Sequence, residues 1–165
     1  ANRRRNLPRV QNVTHFTLTE AKPYHCGQMV RLLRKEHRNA LIAMGVDQHR
    51  QLRTCFDGSA MRKAWMIDGK LAGLGGVLGT QLSSAGYIWL AVSEQATRYP
   101  VTMVKTAREQ LNEIMQTKRL LITTIYQDDK ASARFAKAMG FAMEKGDENH
   151  STWVLRREIA ERRAA

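Results

Sequence analysis

Four glycines, five histidines, two cysteines and one acidic pair are the residues whose types and spacing invite a chemical reading. Gly73, Gly75, Gly76 and Gly79 are dense enough to suggest backbone amides around a phosphate. No Gly-Lys-Ser/Thr follows them, however, and they lie inside a strand pattern, so a β-bulge or close packing is the favoured reading. His25, Cys26, His37, His49 and Cys55 match no zinc-ligand interval, and no metal is expected. Neither cysteine has a base at a predictable offset, which leaves a buried thiol as the expectation for each. Of Asp128 and Asp129, one suffices to cap a helix. No residue is assigned a catalytic role.

Charge is the most unusual bulk property. Lys+Arg 27 against Asp+Glu 15 gives a net charge of +12, which favours association with polyanions. The excess gathers at the ends, in Arg3, Arg4, Arg5 and Arg9 and again in Arg156, Arg157, Arg162 and Arg163. These eight arginines are the expected partner-binding residues, toward protein or DNA. No aromatic residues interleave with them, so the stacking platforms of a single-strand binder are missing. The wide separation of Cys26 and Cys55 favours a reducing compartment of synthesis. ANRRRNLPRV has no apolar run behind its basic residues, and no 18-residue apolar stretch occurs, so neither a signal peptide nor a membrane span is expected.

The elements that must position any site follow from periodicity. Val13–Thr19 alternates as a strand, and a helix opens near Pro23 and carries Met29, Val30, Leu32 and Leu33 toward the core before the basic run Arg34–Arg38. Asn39–Gly45 and Val46–Cys55 form two helical segments broken at Gly45. Asp68-Gly69 joins Lys63–Ile67 to Leu71–Leu78 as a hairpin. Tyr87–Val92 is a continuous apolar run, expected to be a central strand covered on both faces. Val104, Ala107, Leu111, Ile114 and Met115 then recur at helical spacing behind Pro100. Arg119–Tyr126 is a second buried strand, Asp129 caps a helix ended by Gly140, and Phe141–Lys145 with Thr152–Leu155 closes the chain as a hairpin. The expected organisation is a basic arm over 1–12, one α/β domain over 13–156 and a basic C-terminal helix or tail over 157–165. Helices flank a mixed, mostly antiparallel sheet.

That order, with D-x-x-S-x-x-F-A-x-x-M-G-F at Asp129–Phe141, resembles the GNAT superfamily of N-acetyltransferases. Their penultimate helix commonly reads N-x-x-A-x-x-L/F-Y-x-x-x-G-F, and the match runs from Val13 to Leu155. The family carries R/Q-x-x-G-x-G/A after its fourth strand, where amides at a helix start bind the coenzyme A diphosphate. This motif falls on Thr97-Arg98-Tyr99-Pro100-Val101-Thr102, and no glycine remains in it. The resemblance implies that any cofactor contact would fall to Arg98, Val101, Thr102 and Met103. Pro100 offers no N–H, and Tyr99 is expected to place its ring where the diphosphate would approach. The family tyrosine that protonates the departing thiolate aligns with Ala136, which has no proton to give. Tyr126, at a strand end, is read as structural.

The second half of the chain, from W-L-A-V-S-E-Q at Trp89 to A-R-F-A-K-A-M-G-F, also resembles internal virion and morphogenesis proteins of short-tailed phages that share this fold. That resemblance implies a catalytically silent, virion-associated assembly protein, made in the bacterial host cytoplasm and needing no cofactor. It would act in several copies or as a homo-oligomeric ring on portal, tail or internal-core proteins and on DNA. The alternative is an active N-acetyltransferase using acetyl-CoA.

Overall fold

Asp68 and Gly69 both take positive φ, 49° and 76°, as a two-residue hairpin turn requires. They join β2 (Ser59–Ile67) to β3 (Lys70–Leu78), as the Asp-Gly pair predicts. The computed structural model describes residues 14–157; the arm over 1–12, most of the tail, and with them Arg3, Arg4, Arg5, Arg9, Arg162 and Arg163 lie outside it.

Around this hairpin the sheet grows to seven strands with β1 (Phe16–Glu20), β4 (Ala85–Val92), β5 (Leu120–Tyr126), β6 (Ala142–Gly146) and β7 (His150–Arg156), in the order β1-β2-β3-β4-β5-β7-β6. Every neighbouring pair is antiparallel except β4 with β5. The parallel pair needs a crossover, which α4 (Pro100–Ile114) supplies after a 3₁₀ turn at Gln95–Arg98. The mixed, mostly antiparallel sheet flanked by helices is therefore as expected.

One face is covered by α1 (Pro23–Leu32), α2 (Lys35–Ala43) and α3 (Gln48–Asp57). There Cys26, Met29, Leu52 and Phe56 pack on Leu74, Trp89 and Ala91, and each large apolar side chain so buried contributes about 1.5–3 kcal/mol. On the other face, α4 and α5 (Lys130–Ala138) lay Leu111, Ile114 and Ala136 on Val77, Leu121 and Ile125. A third cluster, Trp65, Ile67, Ala72 and Ala96, lies under the start of α4.

The glycine cluster serves packing. A Cβ on Gly76 would stand 2.5 Å from the Met61 carbonyl oxygen, beside the 2.8 Å hydrogen bond that the Trp89 indole donates to Ser59 Oγ.

Two boundaries differ from expectation for one reason. Leu33 leaves the helical region (ψ 136°) and bridges Ser93 at the end of β4. This stops α1 one residue earlier, leaves Leu32 41% exposed rather than in the core, and lets α2 start at Lys35 instead of Asn39. Within Arg34–Arg38, Arg34 is buried while Lys35 and Glu36 are exposed.

Candidate functional site

The parallel strands at the centre of the sheet pair only at their beginnings, Ala85 with Leu120, Gly86 with Leu121 and Tyr87 with Ile122. Beyond that point they part. The end of β4 pairs instead with the α1–α2 corner, where the Val92 carbonyl accepts the Arg34 N–H at 2.9 Å. From the same corner the Arg34 side chain reaches the end of β5, where Nη2 donates to Asp129 Oδ2 at 2.6 Å and to Ser132 Oγ at 2.9 Å. Arg34 and Asp129 are each only 7% exposed, so this is a buried ion pair spanning the mouth of the gap.

Asp129 also caps α5, its carboxylate accepting the Ser132 N–H at 3.1 Å and the Ser132 hydroxyl at 2.7 Å. Burial alone would raise its carboxyl. Arg34 and Ser132 together outweigh burial and hold it below the usual carboxylate range. His37, half-buried on α2, feels both charges: burial lowers its value, Arg34 lowers it further, and Asp129 opposes only in part. The ring is therefore neutral at neutral pH.

On the α4 and α5 face the gap becomes a groove. Alternation directs Ile88, Leu90 and Val92 to this side, where Ile88 packs under α4 and Val92 joins the third cluster. Leu90, between them, is 46% exposed. This corrects the expectation that the central strand is covered on both faces, because β5 has already turned away beside it. The two helices meet near their C-terminal ends, where Arg108 Nη2 donates to the Ala138 carbonyl at 3.1 Å. The groove thus opens toward the helix starts. Backbone groups of alternate residues face one strand edge; since the Val92 carbonyl faces the gap and the Ser93 N–H pairs with Ala72 on β3, Leu90 presents its own N–H and C=O along the open edge.

The four residues expected at a cofactor site stand together at one corner of this groove. Arg98 is exposed at the end of the 3₁₀ turn. Val101 is 80% exposed in the first turn of α4, and the amides of Val101 and Thr102 have no preceding helical carbonyl to bond. The Met103 amide is already engaged, donating to the Tyr99 carbonyl at 2.9 Å. Tyr99 itself departs from expectation: its ring packs edge-on against Phe16 on β1, centroids 5.2 Å apart, and so turns away from β5. The missing glycines therefore do not leave the mouth blocked.

Ala136 is buried under the groove, and the Tyr126 ring lies edge-on to His150, 6.0 Å between centroids. On that same face of the sheet, across the gap from the groove, a cavity of about 380 Å³ is lined by Thr124, Lys145, Asp147, His150 and Thr152. Of the arginines expected to bind partners, Arg156 pairs with Glu144 across the β6–β7 hairpin, and the Arg157 N–H donates to the Arg119 carbonyl at 2.9 Å. Sequence reasoning missed Arg34, His37, Leu90 and Ser132 as members of the site.

Two buried or half-buried histidines make stability depend on pH. His25, 5% exposed, accepts the Lys22 N–H through Nδ1 at 2.8 Å, and burial followed by the Lys22 charge lowers its value. For His25 and His37 the unfolded chain binds more protons than the folded one in the window between the two states' values, so stability rises with pH there. The urea midpoint is expected to fall as pH drops below about 6.5, to level off beneath the lowered folded values, and to fall again below about 3.9, where the unfolded chain's carboxyl takes a proton while folded Asp129 stays ionised. A midpoint constant through the histidine window contradicts this.

This arrangement, a seven-stranded sheet splayed between its fourth and fifth strands with helix starts at the mouth, is the GNAT acetyltransferase fold. The chain is similar to the ribosomal-protein-S18-alanine N-acetyltransferase of Escherichia coli, at 10% identity over 92% of this chain and 99% of that one, with a TM-score of 0.66. It is similar to the PaiA N-acetyltransferase of Thermoplasma acidophilum, solved with coenzyme A, at 11% identity over 87% and 99%, TM-score 0.64. A GNAT acetyltransferase of Streptococcus pneumoniae matches at 15% identity over 86% and 99%, TM-score 0.57. No protein-family model matches the chain, and no curated protein sequence does.

These likenesses correct the leading expectation. Eight solved structures that share the fold are described as acetyltransferases, four of them holding coenzyme A or acetyl-CoA, and nothing among them supports a relation to phage assembly proteins. The reading as a silent virion component is therefore withdrawn.

Proposed function

We propose that the chain is an acetyl-CoA-dependent N-acetyltransferase. The observation that carries this reading is the open edge of β4, where a half-exposed leucine and an unpaired backbone N–H and C=O lie along a groove between two helix starts.

Acetyl-CoA supplies an acetyl group activated as a thioester. The residues present fit it in two places. The Leu90 carbonyl on the open β4 edge would accept from an extended, amide-bearing arm lying on the Leu90 side chain, which leaves the Leu90 N–H free. The Val101 and Thr102 amides at the positive end of α4, with Arg98 beside them, would hold the diphosphate. Two free amides are fewer than a glycine loop presents, so weaker binding than such a loop provides is expected.

The acceptor amine approaches from the α1–α3 face, through the polar cavity beside Thr124 and His150. The Leu90 N–H, aimed into the gap, would stabilise charge on the thioester oxygen. The nitrogen would form a bond to the acetyl carbon, the carbon–sulfur bond would break, and coenzyme A would leave as the thiolate, which takes a proton from water. We assign His37 as the base that takes the amine proton, since its ring is neutral and borders the Arg34–Asp129 pair.

The test is release of free thiol from acetyl-CoA in the presence of a panel of primary amines, with product mass confirming an added acetyl group. His37→Gln is expected to reduce kcat by about 100-fold and to remove the acid limb of the pH profile. Thiol release that no amine accelerates would refute transfer, and an unchanged profile in the variant would refute the role of His37.

A further inference from the structure

A second cavity, of about 390 Å³, lies at the α1–α2 corner on the α1–α3 face, between the end of α1, the start of α2 and the turn after β4. Three cations line it, Arg31, Lys35 and Arg38, with one carboxylate, Glu94. Among the described residues none of the three cations lies within ion-pair distance of an acid. Glu94 is committed elsewhere, its Oε1 accepting the backbone N–H of Lys35 at 2.7 Å. That bond marks the corner as one that already holds a carboxylate at the positive start of α2.

Arg38 gives the second observation. Its Nη2 donates to the carbonyls of Val30 and Arg31 at 3.3 and 3.2 Å, closing the end of α1. Its Nε is buried with no partner, one of two such side-chain atoms among the described residues. A buried donor on a charged group left unpaired is costly, and an anion seated beside the guanidinium would offset its charge. The floor is apolar, formed by Leu33, Leu71 and Leu32, the last 41% exposed.

The geometry points to a binding site for a small organic anion, a phosphate or carboxylate carried on an apolar body such as a ring. The anion meets Arg31, Lys35 and Arg38 while the body lies on Leu32 and Leu71. The net charge of +12 assists its approach. This site is separate from the groove beside Leu90 and does not depend on acetyl transfer.

The experiment titrates the full chain with phenyl phosphate and, separately, benzoate, with benzyl alcohol as the neutral twin. At least one anion is expected to bind with a Kd below about 1 mM and to weaken as salt is added; whichever binds more tightly names the head group. The double variant R31Q/K35Q, altered only at exposed side chains, is expected to lose at least about tenfold in affinity with its unfolding midpoint unchanged. V101D, altered on the opposite face where the cofactor's phosphates would lie, should bind the probe as the native chain does. Failure of both anions to bind, equal binding of benzyl alcohol, or full affinity in R31Q/K35Q would overturn the proposal. Loss of binding in V101D would show that the anion sits in the cofactor groove instead.

Discussion

Arg34→Met is expected to lower the unfolding free energy by about 3–5 kcal/mol, one of the largest losses available to a single side chain outside the apolar core. The reason is what remains behind. Asp129 is 7% exposed and keeps its Ser132 bonds and the start of α5, but its charge then stands in a poorly solvated corner with no cation within reach. Asp129→Asn is expected to cost less, because Arg34 keeps Glu36 at 3.4 Å and the Ser132 hydroxyl at 2.9 Å. Combined, the two substitutions should cost less than their separate losses added together, by about 0.5–3 kcal/mol, because neither leaves the other an unpaired charge. Urea unfolding of the four proteins gives the comparison; strictly additive losses would mean that the pair does not tie the two strand ends. Acid should imitate the single variants only below the unfolded carboxyl value, since Asp129 is held ionised in the folded chain.

V101D should separate folding from cofactor binding. Val101 is 80% exposed in the first turn of α4, where a carboxylate favours the helix by about 0.3–1 kcal/mol. The same carboxylate stands against the cofactor's phosphates. Affinity for acetyl-CoA is expected to fall about 100-fold, with the thermal midpoint unchanged or slightly raised. Calorimetry with a parallel melting curve measures both. Undiminished affinity would place the diphosphate somewhere other than the start of α4.

Features set by neighbours in the chain were legible before any coordinates. The Asp68-Gly69 turn, the amphipathic α4, the Asp129 cap and the helix ending at Gly140 each depend on residues within a few positions. The motif at Asp129–Phe141 was enough to point to the fold. The site was far less legible, because its parts are brought together from distant places. Arg34 sits in a basic run with nothing local to distinguish it from Arg38, and its partner is 95 residues away. Tyr99 was expected to block the mouth because its neighbours in sequence mark the helix start, whereas Phe16 on β1 decides where the ring goes. Leu90 belongs to an apolar run that reads as fully covered, and only the departure of β5 uncovers it. The resemblance to phage proteins rested on positions such as Trp89 and Phe141, which are buried and so report on how the core packs, not on what the surface meets.

The most direct test is a titration of the labelled chain with acetyl-CoA, followed through backbone amide resonances. The amides of Leu90, Val101, Thr102 and Ser132 are expected to shift together and to saturate at one Kd. Saturation without movement at Leu90, or no change anywhere in the spectrum, would contradict the assignment of the open β4 edge as the cofactor groove.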